Sequence, residues 1–198
     1  MRKVLLLASN NQKKVKEIKD LLPDFEVKSL AEIGCNEDIP ETANTFEGNA
    51  LLKAEYLINR FQLPCISDDS GLVVEALNGA PGIYSARYAG EEKSDDKNMD
   101  KLLSELKEKS NRNAYFTTVL CYHDGKNVHY FEGRIHGTIT TKKIGTQGFG
   151  YDPIFTPNGS NKTFAQLSPE EKNANSHRGN ALKKFIEFVE IEKTLKPS

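Results

Sequence analysis

The sequence predicts an α/β protein built on a mixed sheet, and three observations carry that prediction. Lys3 to Ala8 is a short apolar run that reads as a buried strand, and it feeds a polar turn and then a helical pattern. Ala114 to Tyr122 and Asn127 to Ile135 alternate like strands and meet across Asp124-Gly125, a hairpin signal, so they form an antiparallel arm extending the sheet. The chain has 198 residues, enough for one large domain or two lobes sharing a core.

The remaining elements follow in order. After the first strand, Ser9-Asn10-Asn11-Gln12-Lys13-Lys14 opens a helix with Val15, Ile18, Leu21 and Leu22 on one face. A strand, polar turn and helix start make a phosphate site, because free backbone N–H groups and the positive end of the helix dipole both face an anion. A solvated helix start with surface lysines explains the same residues equally well. Phe25 to Leu30 alternates as a second strand, and a polar connection from Ala31 to Pro40 leads to Glu41. A helix then runs from about Asn44 or Thr45 to Phe61, with Ala50, Leu51, Ala54, Leu57, Ile58 and Phe61 inward. Lys53 lies off that stripe, facing solvent or a cleft.

Leu63 to Ile66 reads as a buried strand that delivers Asp68 and Asp69 onto a Gly-terminated turn, Ser67-Asp68-Asp69-Ser70-Gly71. Adjacent like charges resist joint ionisation, so the pair calls for a cation or a shared proton. Oxygen-only ligands suit a hard ion such as Mg²⁺. Taken alone, an exposed acidic turn is the plainer reading. Leu72 to Leu77 continues as strand or helix start, and Gly79 to Tyr88 is a turn-rich loop with two Tyr and an Arg. Ser94 to Lys109 is an amphipathic helix with Met99, Leu102, Leu103 and Leu106 as its stripe. Gly145 to Pro153 is glycine-rich and lets backbone approach a ligand, although it is not a dinucleotide fingerprint. Ser168-Pro169-Glu170-Glu171 has the form of an N-capped helix start, and Ser176-His177-Arg178 precedes a last helix burying Ala181, Leu182, Phe185, Ile186 and Val189.

Composition narrows the function. Lys and Arg number 27 against 28 Asp and Glu, a net charge of −1, which argues against a general nucleic-acid binder. The three cysteines show no metal-like spacing; Cys65 and Cys121 sit in apolar strand patterns, and a reducing cytoplasm fits. Val4 to Ala8 is too short for a signal segment or a membrane span, so no membrane partner is expected.

Together, Ser9 to Lys14, Glu41, Thr45 to Lys53, Ser67 to Gly71, Gly79 to Tyr88, Gly148 to Pro153 and Ser176 to Gly179 stand in an order that resembles the inosine triphosphate pyrophosphatase family, the bacterial dITP/XTP pyrophosphatases. The resemblance spans about Lys3 to Val189. Ser9-Asn10-Asn11 stands where the family often has Thr-Gly-Asn; Ser keeps the hydroxyl, and Asn tolerates a left-handed backbone. The resemblance implies one two-lobed domain around a long mixed sheet with the active cleft between the lobes, assembled as a homodimer. It implies Mg²⁺-dependent hydrolysis of ITP or XTP, in ribo or deoxy form, to the monophosphate and pyrophosphate, which cleanses the nucleotide pool.

The implied roles can be assigned residue by residue. Glu41 and Asp68 would hold Mg²⁺, and Asp69, itself near the metal, would orient or deprotonate water. The division between the two Asp residues stays open, because a coupled pair titrates jointly. Ser9, Asn10, Asn11, Gln12, Lys13, Lys14, Lys53 and Ser70 would surround the triphosphate. Phe149 would stack on the purine within Phe149-Gly150-Tyr151-Asp152, Asp152 would accept from a ring N–H, and Lys172, His177 and Arg178 would read the 6-oxo group. Two rivals are a related pyrophosphatase with another base preference and a nucleotide-binding module without turnover.

Overall fold

The computed structural model of the chain describes residues 3–35, 37 and 39–195, with the side chains of 193–195 excepted. Among them the order is β1 (Lys3–Leu7), α1 (Gln12–Leu21), β2 (Phe25–Ser29), α2 (Phe46–Phe61), β3 (Cys65–Val74), α3 (Asp95–Glu105), β4 (Asn113–His123), β5 (Val128–Ile139), β6 (Phe155–Pro157), α4 (Pro169–Ala174) and α5 (His177–Leu195). The strands form one sheet in the order β2-β1-β3-β4-β5-β6. β1 runs parallel to β2 and β3, while β5 and β6 are antiparallel, so the sheet is mixed. The chain divides into two compact units, one of Met1–Asp69, Thr118–Gly133 and Arg178–Ser198, the other of Ser70–Thr117 and Arg134–His177.

In the first unit, apolar residues sort by strand parity. Successive strand side chains point to opposite faces. Leu5, Leu7 and Ile66 therefore pack with Val15, Ile18 and Leu22 and with Ala181, Leu182 and Phe185 of α5. Leu6 and Cys65 face the other way, onto Ala50, Ala54 and Leu57 of α2. Covering on both faces is why these strands read as continuous apolar runs rather than alternating ones.

The second unit has its own core, in which Leu72, Val74, Ile135 and Ile139 meet Met99, Leu102 and Leu106. Phe116 lies edge-on to Phe155 at 4.7 Å between ring centroids. Arg112 spreads its guanidinium over three carbonyls, those of Ile139 at 2.7 Å, Leu106 at 3.0 Å and Thr140 at 2.6 Å, and so ties the end of α3 to the end of β5.

Several sequence expectations change. The acidic stretch is not a turn: β3 runs unbroken from Cys65 through Asp68, Asp69, Ser70 and Gly71 to Val74. The polar residues stay in the strand because neighbouring elements supply their partners. The helix expected over 94–109 is Asp95–Glu105, with the Ser94 hydroxyl accepting from Lys97 N–H as its N-cap. β6 was not foreseen, since three residues carry no period. Its pairing requires Gly137, where a Cβ would stand 2.2 Å from the Thr156 carbonyl oxygen. In the connection expected over 31–40, residues 36 and 38 lie outside the described residues, and Ala31–Ile33 forms a 3-10 turn. The start of α4 is as expected: Ser168 and Glu171 cap each other reciprocally.

Candidate active site

The strand period separates the two neighbouring aspartates. Ser67 Oγ donates to the Ala50 carbonyl at 2.5 Å, and Asp69 Oδ2 accepts from Asn49 Nδ2 at 3.1 Å, so both face α2. Asp68 points to the opposite face, with Oδ2 3.0 Å from Lys14 Nζ and 3.5 Å from Arg178 Nε. Both carboxylates are buried. The pair expected to share a cation or a proton therefore points to opposite faces of the strand, Asp69 towards Asn49 and Asp68 towards Lys14 and Arg178.

On the α2 face, Thr45 caps the helix by accepting from Gly48 N–H at 3.0 Å. Asn49 is fully buried; its Oδ1 accepts from Ala43 N–H at 2.9 Å, which leaves the amide nitrogen directed at Asp69. One turn later, Lys53 is inward rather than solvated. Its Nζ donates to Glu41 Oε1 at 2.5 Å and to the Asp68 carbonyl at 2.7 Å. Burial alone would lower the Lys53 pKa, but Glu41, followed by Asp69 and Asp68, raises it above the ordinary lysine value. Asp69 moves the other way from most paired carboxylates. Burial raises its pKa, Glu41 adds to the rise, and Lys53, Lys14 and the Asn49 hydrogen bond only partly offset it. A carboxylate that raises the Asp69 pKa is thus Glu41, twenty-eight residues earlier in the sequence.

On the other face, burial again opposes ionisation of Asp68, yet Lys14, Arg178 and Lys53 outweigh it and depress the pKa. Lys14 itself is lowered, by burial first and then by the Arg178 and Lys53 charges, against the pull of Asp68. Arg178, at the start of α5, also pairs with Glu17 of α1. Asn11 caps α1 by accepting from Lys13 N–H at 3.1 Å and Lys14 N–H at 3.2 Å, and Ser9 Oγ accepts from Asn11 N–H at 3.2 Å. This corrects one expectation: two of the amides supposed to await an anion are engaged by the N-cap side chain. Asn10, Asn11, Gln12 and Lys13 are exposed, and Ser9 is half-buried.

The second unit assembles another set of the expected residues. Asp152 and Lys172 form a buried ion pair, Nζ to Oδ2 at 2.7 Å. The same oxygen accepts from Phe149 N–H at 2.9 Å, and Lys172 Nζ lies 4.6 Å from the centroid of the half-buried Phe149 ring. Gly148 (φ 77°) permits this closure, since a Cβ there would fall 2.0 Å from Asp152 Oδ2. Tyr151 is buried and donates its hydroxyl to the Ser85 carbonyl at 2.8 Å, a supporting role. His177 is buried and stacked on Phe116 at 4.8 Å. Ser70, half-buried, follows Asp69 on β3.

The expected residues thus gather in three places: Lys14, Asp68 and Arg178; Glu41, Lys53 and Asp69; and Phe149, Asp152 and Lys172. Arg178, grouped with Lys172 and His177 in the sequence reading, makes its ion pairs with Asp68 and Glu17. Two further residues of these clusters leave only a weak signal in the sequence. Asn49 was legible as a polar residue interrupting the apolar stripe of α2, four residues before Lys53, and Glu17 as the i+3 neighbour of Lys14 on α1.

Among the described residues, no three acidic, histidine or cysteine side chains converge as a metal cage. Mg²⁺ does not require one, since it keeps several waters and is bound by one or two carboxylates plus substrate phosphates. Glu41 and Asp69 supply two hard oxygen donors on one face, balanced by the Lys53 ammonium. That donor set suits the ion.

Buried carboxylates with lysines placed against them, and a buried Asp152–Lys172 ion pair beside the Phe149 ring, mark an α/β protein with the charged side chains that a small anion would engage. The Ham1 family model matches residues 5–188. A Flavobacterium psychrophilum protein named dITP/XTP pyrophosphatase is 56% identical over 185 residues, 93% of this chain and 97% of the relative. A Bacillus subtilis protein of the same name is 47% identical over 193 residues, covering 95% and 98%. The solved structure of the Staphylococcus aureus Ham1 protein superposes with a TM-score of 0.88 at 46% identity, over 96% of this chain and 100% of that one. The chain belongs to the Ham1 family.

Proposed function

We propose that this protein hydrolyses deaminated purine nucleoside triphosphates, ITP or XTP and their deoxy forms, to the monophosphate and pyrophosphate. The observation that carries the reading is the cluster in which buried Asp69, Asn49 and Lys53 meet half-buried Glu41, so that two carboxylates flank a fixed ammonium. The names of the relatives support the substrate class.

In this reading Glu41 and Asp69 would hold Mg²⁺, and Asp69 would take the proton of the attacking water. Mg²⁺, when bound, screens charge on the phosphate oxygens and on the departing pyrophosphate. Lys53 and Lys14 bind phosphate oxygens, each already held by carboxylates that fix its position. Asp68 acts as the counter-ion that keeps Lys14 and Arg178 together. Phe149 stacks on the base, and the Asp152–Lys172 pair presents an acceptor and a donor side by side, which complements a ring N–H next to a 6-oxo group. A 6-amino group would oppose a donor to the Lys172 donor and leave it unpaired.

The reading includes a homodimer in the cytoplasm, acting on free nucleotides. Light scattering tests the assembly. The chemistry is tested by ³¹P NMR of ITP turnover with and without chelator. Pyrophosphate and IMP, formed only when Mg²⁺ is supplied, are expected; orthophosphate with IDP would refute the assigned bond.

A further inference from the structure

The segment that carries Phe149 is unusual in how its backbone is held. Gly145, Gly148 and Gly150 all have positive φ, at 90°, 77° and 61°, conformations that glycine adopts without strain but that it also leaves readily. Fixing such a segment takes partners for its amides. Ile144 N–H donates to the Pro153 carbonyl at 2.8 Å, and Thr146 and Gln147 donate to the Ala165 carbonyl at 3.2 and 3.0 Å. At Phe149 itself the partners change from carbonyls to carboxylates. Phe149 N–H donates to Asp152, and the next amide, Gly150 N–H, donates to Asp95 Oδ2 at 2.7 Å. The peptide groups on both sides of the Phe149 Cα are thus each gripped by an ionised oxygen, the stronger class of acceptor.

Asp95 is the first residue of α3, and the helix does not need it for capping, since the Ser94 hydroxyl already does that. Its negative charge is favourable at a helix start, but Asp96 supplies the same effect. What distinguishes Asp95 is its reach to Gly150, fifty-five residues away. The same helix grips the beginning of the segment as well, where Lys143 Nζ lies 2.5 Å from Asp96 Oδ1 and 2.6 Å from Asp100 Oδ1. The first turns of α3 therefore anchor both ends of 143–150.

We propose that Asp95 is a positioning residue for base recognition: through the Gly150 amide it sets the backbone that aims the Phe149 ring. The proposal rests on Phe149 being the purine-stacking side chain. A group that fixes a stacking surface acts on binding of the base and leaves the phosphate chemistry alone, so its loss should appear in KM.

The test compares Asp95→Ala with Asp95→Asn in the full-length protein, using ITP at saturating Mg²⁺ and a temperature well below both melting transitions. Asp95→Ala should raise KM about tenfold, the lower end for a charge-assisted hydrogen bond, with kcat within about twofold. Asp95→Asn keeps an acceptor oxygen and should restore most of the affinity. In a Phe149→Ala background, Asp95→Ala should add nothing further. A second measurement exploits the absence of tryptophan from the chain. Phe149→Trp places a single tryptophan at the site, excited selectively over the seven tyrosines, and adding Asp95→Ala should red-shift its emission and lower its anisotropy. Unchanged KM and emission in the Asp95→Ala proteins would overturn the proposal, as would a loss confined to kcat or an equal loss in the Phe149→Ala background. If Phe149→Ala alone left the KM for ITP untouched, the stacking reading would fall, and the tryptophan emission would still decide whether Asp95 holds the segment.

Discussion

Asp68 and Asp69 are neighbours in sequence, both buried, and opposite in character. Asp68 meets two cations, Lys14 and Arg178, and its pKa is driven below the ordinary aspartate value. Asp69 meets an amide, a shared lysine and a second carboxylate, and its pKa is driven up. The difference comes from the pleat of β3, which turns one side chain towards α1 and α5 and the next towards α2. Burial penalises both charges; what decides the outcome is whether a face offers more positive charge than it already uses. The proposed function gives them separate work, a fixed counter-ion on one face and a proton acceptor on the other.

The largest effect should come from Asp69→Asn. Loss of a general base costs about a hundredfold to ten-thousandfold in kcat, so single-turnover kinetics should show that drop while calorimetry shows ITP still bound. A kcat near wild type would remove Asp69 from the mechanism. Asp68→Asn should instead be a stability lesion, about 3 kcal/mol at pH 7 by urea unfolding, because it strands buried cations. The sign follows from linkage. A folded-state pKa below the unfolded value of about 3.9 contributes stability that is complete above that value and lost as the pH falls through the folded one. The gap between wild type and variant should therefore narrow below about pH 4; a gap that stays constant there would mean Asp68 is not an ionised partner of Lys14 and Arg178.

How much of this was legible in the sequence depends on which physical signal each residue leaves. Strand and helix periods revealed the α/β order, the core faces of α1, α2 and α5, and the hairpin at Asp124-Gly125, because burial repeats. The carboxylates, lysines and Phe149 were legible as motif residues. The opposite orientation of Asp68 and Asp69 was not, since Ser67 to Gly71 reads as a turn where β3 in fact runs on unbroken. The Glu41–Lys53 contact and the link from Arg178 to Glu17 join distant segments, and no local pattern encodes them.

Arg178 sharpens the comparison at intermediate magnitude. Its sequence neighbours pointed to base reading, whereas its partners are Asp68 and Glu17. Arg178→Ala should therefore lower kcat/KM by about tenfold for ITP and ATP alike, as expected for loss of a charge-assisted contact. A selective loss for ITP would return Arg178 to the base pocket. The smallest effect belongs to Asn49→Ala, a few-fold loss of kcat at neutral pH. Its hydrogen bond lowers the Asp69 pKa, so removing it should move the acid limb of the kcat profile upward. An acid limb that moved down would mean that Asn49 does not stabilise the ionised form.

The separation of the two aspartates is tested most directly by a ¹³C carboxyl NMR titration of the chelator-treated protein, with Asp68→Asn and Asp69→Asn spectra assigning the two resonances. Asp69 should titrate above the ordinary aspartate value of about 3.9 while Asp68 remains ionised to well below it. Two carboxyls that titrate together, or in the reverse order, would contradict the account.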